Sequence, residues 1–226
     1  MFYRLALLPL MPLALDAADL TEATRRLDDS AAVFQEVMQI SDRAIPQALL
    51  DRAECTVIIP SLKKGAFILG GKYGRGFASC RGKGGAGWGP PAGIRVEGGS
   101  FGFQIGGSET DIVMLIMNER GSRRLMKSKF TLGGNASIAA GPAGRDANVE
   151  TDAMLTAEIL TWSRSRGIFA GISLQGATLR PDLEVNRELY GQRWSTKEII
   201  GSGLAVPTHA KPLVQLLNKY SSRKSR

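Results

Sequence analysis

Two periodicities divide the chain. Between 20 and 38, Leu20, Ala23, Leu27, Ala31, Phe34, Val37 and Met38 recur at helical spacing, and Thr21 and Glu22 suit a first turn. The polar face of that helix holds Asp28, Asp29 and Glu36, which favours packing on a domain over contact with an anionic surface. Pro46 at a first helical position starts a second short helix through Ala53. Beyond it the period drops to two. Cys55-Thr-Val-Ile-Ile-Pro60 predicts a buried strand ended by Pro60, and short strands follow at 66–69, 76–80, 92–97, 101–106 and 110–117. Their spacing leaves no room for crossover helices, so they predict an antiparallel sheet or partly closed barrel.

The stretch 162–191 organises the rest. Ile168, Ala170, Ile172 and Leu174 fall on one face of a strand, and Phe169, Gly171, Ser173 and Gln175 on the other. With the strand-forming run 156–163 it predicts a hairpin turned by Arg164-Ser-Arg-Gly167. Arg180-Pro181-Asp182 stops the strand, and Asp182 caps a short helix carrying Leu183, Leu189 and Tyr190. Further on, Ser195 and Glu198 form a capping box ahead of Ile199 and Ile200. A last helix, 212–220, places Leu213, Leu216, Leu217 and Tyr220 on one face before a solvated basic tail.

Composition narrows the picture. The length suits one domain, and the 27 glycines, clustered at 65–107 and 133–144, suit turned or closely packed β-structure rather than a helical bundle. At the N-terminus, Arg4, an apolar run over 5–15 and Ala17-Ala18 read as a secretory signal peptide, too short to span a bilayer. The expectation is export to the periplasm or cell envelope. No cysteine follows the run, so a lipid-modified N-terminus is unsupported. The net charge of +8, or +7 once Arg4 is removed, points to an anionic partner or surface. In an oxidising compartment Cys55 and Cys80 can pair, which would stabilise by about 3 kcal/mol in the chain-entropy model; two buried thiols are the alternative.

Most candidate chemistry falls away. Gly65 to Tyr73 resembles a phosphate-binding loop, but Lys72 falls one place late, Tyr73 replaces the hydroxyl that holds magnesium, and no helix follows. Gly71, Gly74 and Gly76 miss dinucleotide spacing and read as bulges and tight turns. Gly98-Gly-Ser100-Phe-Gly102 matches a nucleophile elbow, with Asp111 or Asp182 and then His209 in hydrolase order, yet 101–107 alternates like a strand where the elbow needs a helix. One histidine and two cysteines leave no His/Cys metal cluster, and no cofactor is expected. No aromatic-basic reading surface is evident, so nucleic acid is not an expected partner.

One constellation is left. Arg120, Arg123, Arg124 and Lys127 fall at i, i+3, i+4 and i+7, with Asn118 as cap, and make one positive stripe on a short helix. Leu125 and Met126 point the other way and anchor it. The stripe can meet lipid phosphates or simply stay solvated. Arg145, Arg164 and Arg166 are candidates to extend it.

Six ordered blocks, 55–73, 88–92, 111–118, Gly141-Pro-Ala-Gly-Arg145, 162–171 and Asn186-Arg-Glu-Leu-Tyr-Gly191, resemble the SYLF domain. The resemblance implies a non-enzymatic lipid-binding domain with a twisted antiparallel sheet. It also implies that eukaryotic members bind phosphoinositides and associate with actin-regulating machinery, and that stand-alone members with signal peptides are bacterial envelope proteins. No Src-homology or zinc-finger module accompanies the blocks, so actin is not an expected partner unless the chain is eukaryotic. The combined expectation is an α+β fold: a glycine-rich twisted antiparallel sheet or partly closed barrel with N-terminal and C-terminal helices packed on it. Its divisions are a signal peptide at 1–17, a SYLF-like lipid-binding domain at 18–191, and a C-terminal helical extension and basic tail at 192–226. The expected function is peripheral binding of anionic phospholipid or phosphoinositide headgroups through Arg120, Arg123, Arg124 and Lys127. An envelope scaffold that binds another protein is the alternative, and a serine hydrolase using Ser100 the remote one.

Overall fold

The computed structural model describes residues 21–40, 44–66, 69–101, 106–134, 136–142, 156–165, 168–169 and 174–222. Helix α1 (Glu22–Gln39) is followed by α2 (Gln47–Arg52) and four long strands: β1 (Cys55–Ala66), β2 (Leu69–Cys80), β3 (Ala92–Phe101) and β4 (Gly106–Ile116). Then come α3 (Glu119–Leu125), β5 (Phe130–Thr131), β6 (Ile138–Ala140), β7 (Ile159–Ser165), β8 (Ile168–Phe169) and β9 (Thr178–Pro181). Helices α4 (Leu183–Tyr190), α5 (Thr196–Ser202) and α6 (Lys211–Tyr220) close the described chain.

The strands form one sheet in the order β5-β9-β3-β2-β1-β4-β7-β6, with β8 paired to β7. Neighbours are antiparallel except β6 and β7, which run parallel. The fold is α+β with a twisted, curled sheet, as the sequence predicts, and among the described residues the parallel pair is the one departure from antiparallel pairing. Alternation along the strands sorts side chains into two cores. Ile58, Phe77, Val113, Leu115, Leu160 and Trp162 face α1, α2, α4 and α6, meeting Leu27, Phe34, Leu49, Leu50, Val185 and Leu217. Val57, Ile59, Val96, Ile112, Met114 and Ile159 face the inside of the curl, closed by Leu125, Phe130 and Leu179. Each such fully buried side chain contributes about 1.5–3 kcal/mol.

The glycines play a different part from the expected turns. Gly71, Gly74 and Gly76 lie inside the continuous strand β2, and Gly98 and Gly99 inside β3. The register of β1 slips between Ile58 and Lys63, and Pro60 sits in that bulge instead of ending the strand. The bulge presses on β2: a Cβ at Gly76 would lie 1.9 Å from the Ile58 carbonyl oxygen, and one at Gly74 would lie 2.7 Å from the Ile59 side chain. The predicted strand at 66–69 falls instead where β1 passes to its hairpin partner β2, and that at 101–106 where β3 passes to β4, which are separated in the sheet by β2 and β1; 67–68 and 102–105 lie outside the described residues. The predicted hairpin at 156–175 appears as β7 and β8, paired at Arg164 with Phe169 and Ser165 with Ile168; 170–173 lie outside the described residues. The leader segment 1–17 does too.

Cys55 and Cys80 stand in register on β1 and β2, and their sulfurs are bonded. Beside them Arg81 holds the C-terminal end. It donates to the carbonyls of Leu50, Ala53 and Ser221 and to the Ser221 hydroxyl, and its guanidinium lies 3.9 Å from the centre of the Trp88 ring. The C-terminal helix therefore belongs to the same core as α1, with Phe34 and Tyr220 packed edge to face at 5.8 Å.

Candidate functional site

Asn118 starts α3 by accepting the Gly121 N–H at 2.8 Å, as its type and position predict. Glycine at 121 lets the helix sit close on β4, because a Cβ there would lie 2.6 Å from the Ile116 side chain. Leu125 is buried in the inner core and anchors the helix from the other side. The helix ends sooner than the stripe requires. It stops at Leu125 with Met126 as cap, so Lys127 stands beyond its last turn, exposed, with exposed Lys129 after it.

The basic side chains do not project alone. Arg120 and Arg124 both reach Glu158, which precedes β7; the Arg120 contact is 3.4 Å, and the Arg124 contact is a short hydrogen bond. Glu158 is buried, fixed by its own N–H donating to Ser137 and by the Met117 N–H donating to its carbonyl. Arg123 pairs with Glu119 on its own helix at 2.7 Å. Arg120 and Arg123 are 69% and 62% exposed, Arg124 only 19%. A shallow depression of about 340 Å³ lies between Arg120, Arg124, Gly133, Gly134, Ala136, Ser137 and Glu158. Two guanidiniums against one carboxylate leave it positive, and the two glycines leave backbone at its rim. Arg164, a candidate to extend the stripe, lies elsewhere: it binds Asp111 at 2.7 Å and Glu36 of α1, five residues along β7 from the end near α3. Arg145 and Arg166 are outside the described residues.

The other end of β4 carries a larger opening, about 920 Å³, lined by Ser61, Lys63, Lys64, Gly107, Ser108, Glu109, Asp111, Arg164 and Ser165. Ser61, in the bulge, takes φ of +52° and donates its N–H to Asp111 at 3.0 Å. Burial pushes the Asp111 carboxyl up, against that hydrogen bond and with Glu109 and Asp29 adding to the rise. At this end the register of β3, β2, β1 and β4 stacks residues in rows: Glu97, Tyr73, Lys63, Glu109; then Gly98, Lys72, Lys64, Ser108; then Gly99, Gly71, Gly65, Gly107.

The elbow geometry is not met. Ser100 lies within β3, its backbone in register with Gly70, where a nucleophile elbow needs a turn into a helix. Asp182 is buried on Arg75, Asp111 is on β4 with Arg164, and His209 is exposed in a short 3-10 turn. Gly65 and Gly70 to Tyr73 likewise belong to strands. Among the described residues no group of acidic, histidine or cysteine side chains could hold a metal, and no helix is long and apolar enough to cross a membrane.

A curled sheet packed against helices thus carries openings lined by basic side chains at both ends of one strand, β4. The family model described as "Ysc84: Las17-binding protein actin regulator" matches residues 97–220, which include α6. The chain belongs to this family, that of the SYLF domain. It is 35% identical over 180 residues to Protein YSC84 of Saccharomyces cerevisiae, covering 78% of this chain and 38% of that protein. It is 33% identical over 201 residues to SH3 domain-containing YSC84-like protein 1 of Xenopus laevis, covering 86% and 59%. LAS seventeen-binding protein 3 of Saccharomyces cerevisiae is 32% identical over 203 residues, covering 88% and 44%. The chain thus spans less than two thirds of each of these relatives.

Proposed function

We propose that this chain is a non-enzymatic domain that docks on anionic phospholipid headgroups at a membrane surface through the α3 depression. The observation that carries the reading is the sharing of one buried carboxylate, Glu158, by Arg120 and Arg124. Glu158 holds both guanidiniums in place without neutralising them, so a phosphate meets donors already oriented. Lys127 and Lys129 add exposed charge beside it. The bonded Cys55 and Cys80 suit an oxidising compartment, which supports the exported, envelope location suggested by the N-terminal apolar run.

The test is co-sedimentation of R120Q/R123Q/K127Q with phosphatidylserine-containing vesicles. Arg124 is kept because it satisfies Glu158. Binding should weaken on the order of tenfold or more, with unchanged melting; undiminished binding discards the site. A protein-binding role is the second reading, favoured by the family description and by relatives whose names carry Las17 binding. Association with a protein partner that is insensitive to salt, together with no vesicle binding, would select it.

A further inference from the structure

We propose that Arg95 on β3 and Arg180 on β9 clamp a phosphate monoester, in the middle of a basic row that crosses the helix-bearing face of the sheet and runs into the α3 stripe. The clamp deepens the proposed docking and rests on that reading for a lipid headgroup as the bearer of the phosphate.

The row follows from register. Arg75 stands opposite Arg95, and Arg95 opposite Arg180. Phe130 pairs with Leu179, so Lys129, one residue earlier, falls opposite Arg180 as the register continues. Val96, Leu179 and Phe130 fill the inner core, which turns their neighbours Arg95, Arg180 and Lys129 to the other face. Cations thus follow one another across β2, β3, β9 and the start of β5, about 14 Å from end to end. Like charges directly opposed on neighbouring strands destabilise a sheet, and an anion set between them offsets the cost.

Among the described residues three carboxylates pair with this row, and they leave its middle short. Asp182 is buried, and Arg75 engages both its oxygens. Glu22 of α1 serves Arg75 and Arg26. Glu97 is left for both Arg95 and Arg180, 2.8 Å from one Nε and 3.4 Å from the other. These are contacts of charge without aligned hydrogen bonds, because the Nε atoms of Arg95 and Arg180 are both enclosed and both lack an acceptor. A guanidinium presents Nε–H and Nη–H as a fork that binds two oxygens of one anion. Two forks converging on one group ask for at least three terminal oxygens. A phosphate monoester has three and a charge near −2, whereas a carboxylate such as Glu97, or a phosphodiester, has two and a charge of −1. Arg95 and Arg180 are 41% and 38% exposed, so an incoming phosphate can reach both, and Glu97, 39% exposed, can turn to solvent.

Two features favour a membrane as the bearer of that phosphate. Exposed Lys127 and Lys129 join the row to the end of α3, so an occupant that meets both the clamp and the stripe is an extended surface. Tyr73, opposite Glu97, is 49% exposed, an amphipathic ring beside the clamp of the kind a membrane interface holds.

The experiment uses the full chain, R95Q/E97Q/R180Q and R95K/R180K. E97Q keeps a lone carboxylate from remaining in the first variant, and the second keeps the charge while removing the forks. Arginine Nε–H NMR of the parent follows Arg95 and Arg180 during titration with methyl phosphate, a monoester, and dimethyl phosphate, a diester. Co-sedimentation then compares the three proteins on phosphatidylcholine vesicles carrying phosphatidic acid, a monoester, or phosphatidylglycerol, a diester. Both Nε–H signals should move with methyl phosphate alone, and both variants should bind phosphatidic acid vesicles about tenfold more weakly than the parent, with nearly equal binding of all three to phosphatidylglycerol. Moving signals with no vesicle binding by the parent would keep the clamp, assign it to a soluble phosphate monoester and overturn the lipid reading. Unmoved signals with equal binding of all three proteins to phosphatidic acid would overturn the clamp and leave the α3 reading intact. Parent-like binding by R95K/R180K would show that charge alone suffices and would also overturn the clamp.

Discussion

Arg75 and Asp182 form a two-pronged ion pair, Nε to Oδ2 at 2.5 Å and Nη2 to Oδ1 at 3.0 Å, that ties β2 to the cap of α4. Asp182 serves twice, because Oδ1 also accepts the Val185 N–H at the start of α4. Arg75 continues to Glu22 of α1 at 3.4 Å, so one side chain joins the sheet to both helices. Burial would raise the Asp182 carboxyl, but the hydrogen bonds and charge of Arg75, with the Val185 N–H and Arg95, outweigh it and hold the carboxyl below the usual range. A carboxyl depressed in the folded state stabilises the fold above its unfolded pKa of about 3.9, and that stabilisation is lost as pH falls through the folded value. Urea unfolding of D182N should show a loss of about 2 kcal/mol at neutral pH and a flatter decline below about pH 4. An acid limb identical to the parent's would refute the role given to this pair.

Glycines of β2 should divide into two classes. Gly76→Ala drives a Cβ into the Ile58 carbonyl and should cost about 3 kcal/mol or prevent folding. Gly71→Ala, with open space at its Cβ, should be neutral or stabilise by about 0.5 kcal/mol. Thermal melting of the two variants decides it, and equal effects would contradict the bulge account.

Removing the Arg81 side chain should loosen the C-terminus. Its donors satisfy the carbonyls of Leu50, Ala53 and Ser221, and Trp88 Nε1 donates to the same Ser221 carbonyl at 2.9 Å. R81M leaves buried acceptors unpaired and should cost about 3 kcal/mol, with earlier cleavage near α6 in limited proteolysis. A variant as resistant as the parent would show that α6 is held by its apolar face alone.

What was legible in the sequence was local. The helical period of α1, the Asn118 and Asp182 caps, the Ser195–Glu198 capping box and the apolar face of α6 all depend on residues within one or two turns, and each appears as read. Strand lengths depended on distant partners. Gly74 and Gly76 look like turns until the β1 bulge is laid over them, and Pro60 looks like a terminator until the bulge accommodates it. The role of Glu158 is not legible in the sequence because 34 residues separate it from Arg124, and no periodicity links a carboxylate at a strand's start to a helix before it. Lys64 and Lys72 face each other only in the register beyond the bulge.

Vesicle co-sedimentation of the full chain tests the proposed charge-driven docking on a membrane most directly. Neutral phosphatidylcholine vesicles are compared with vesicles containing anionic lipid, each at low and high salt. Binding to the anionic vesicles alone, falling as salt rises, is the predicted result. Binding to neither, or binding that ignores both lipid charge and salt, would contradict it.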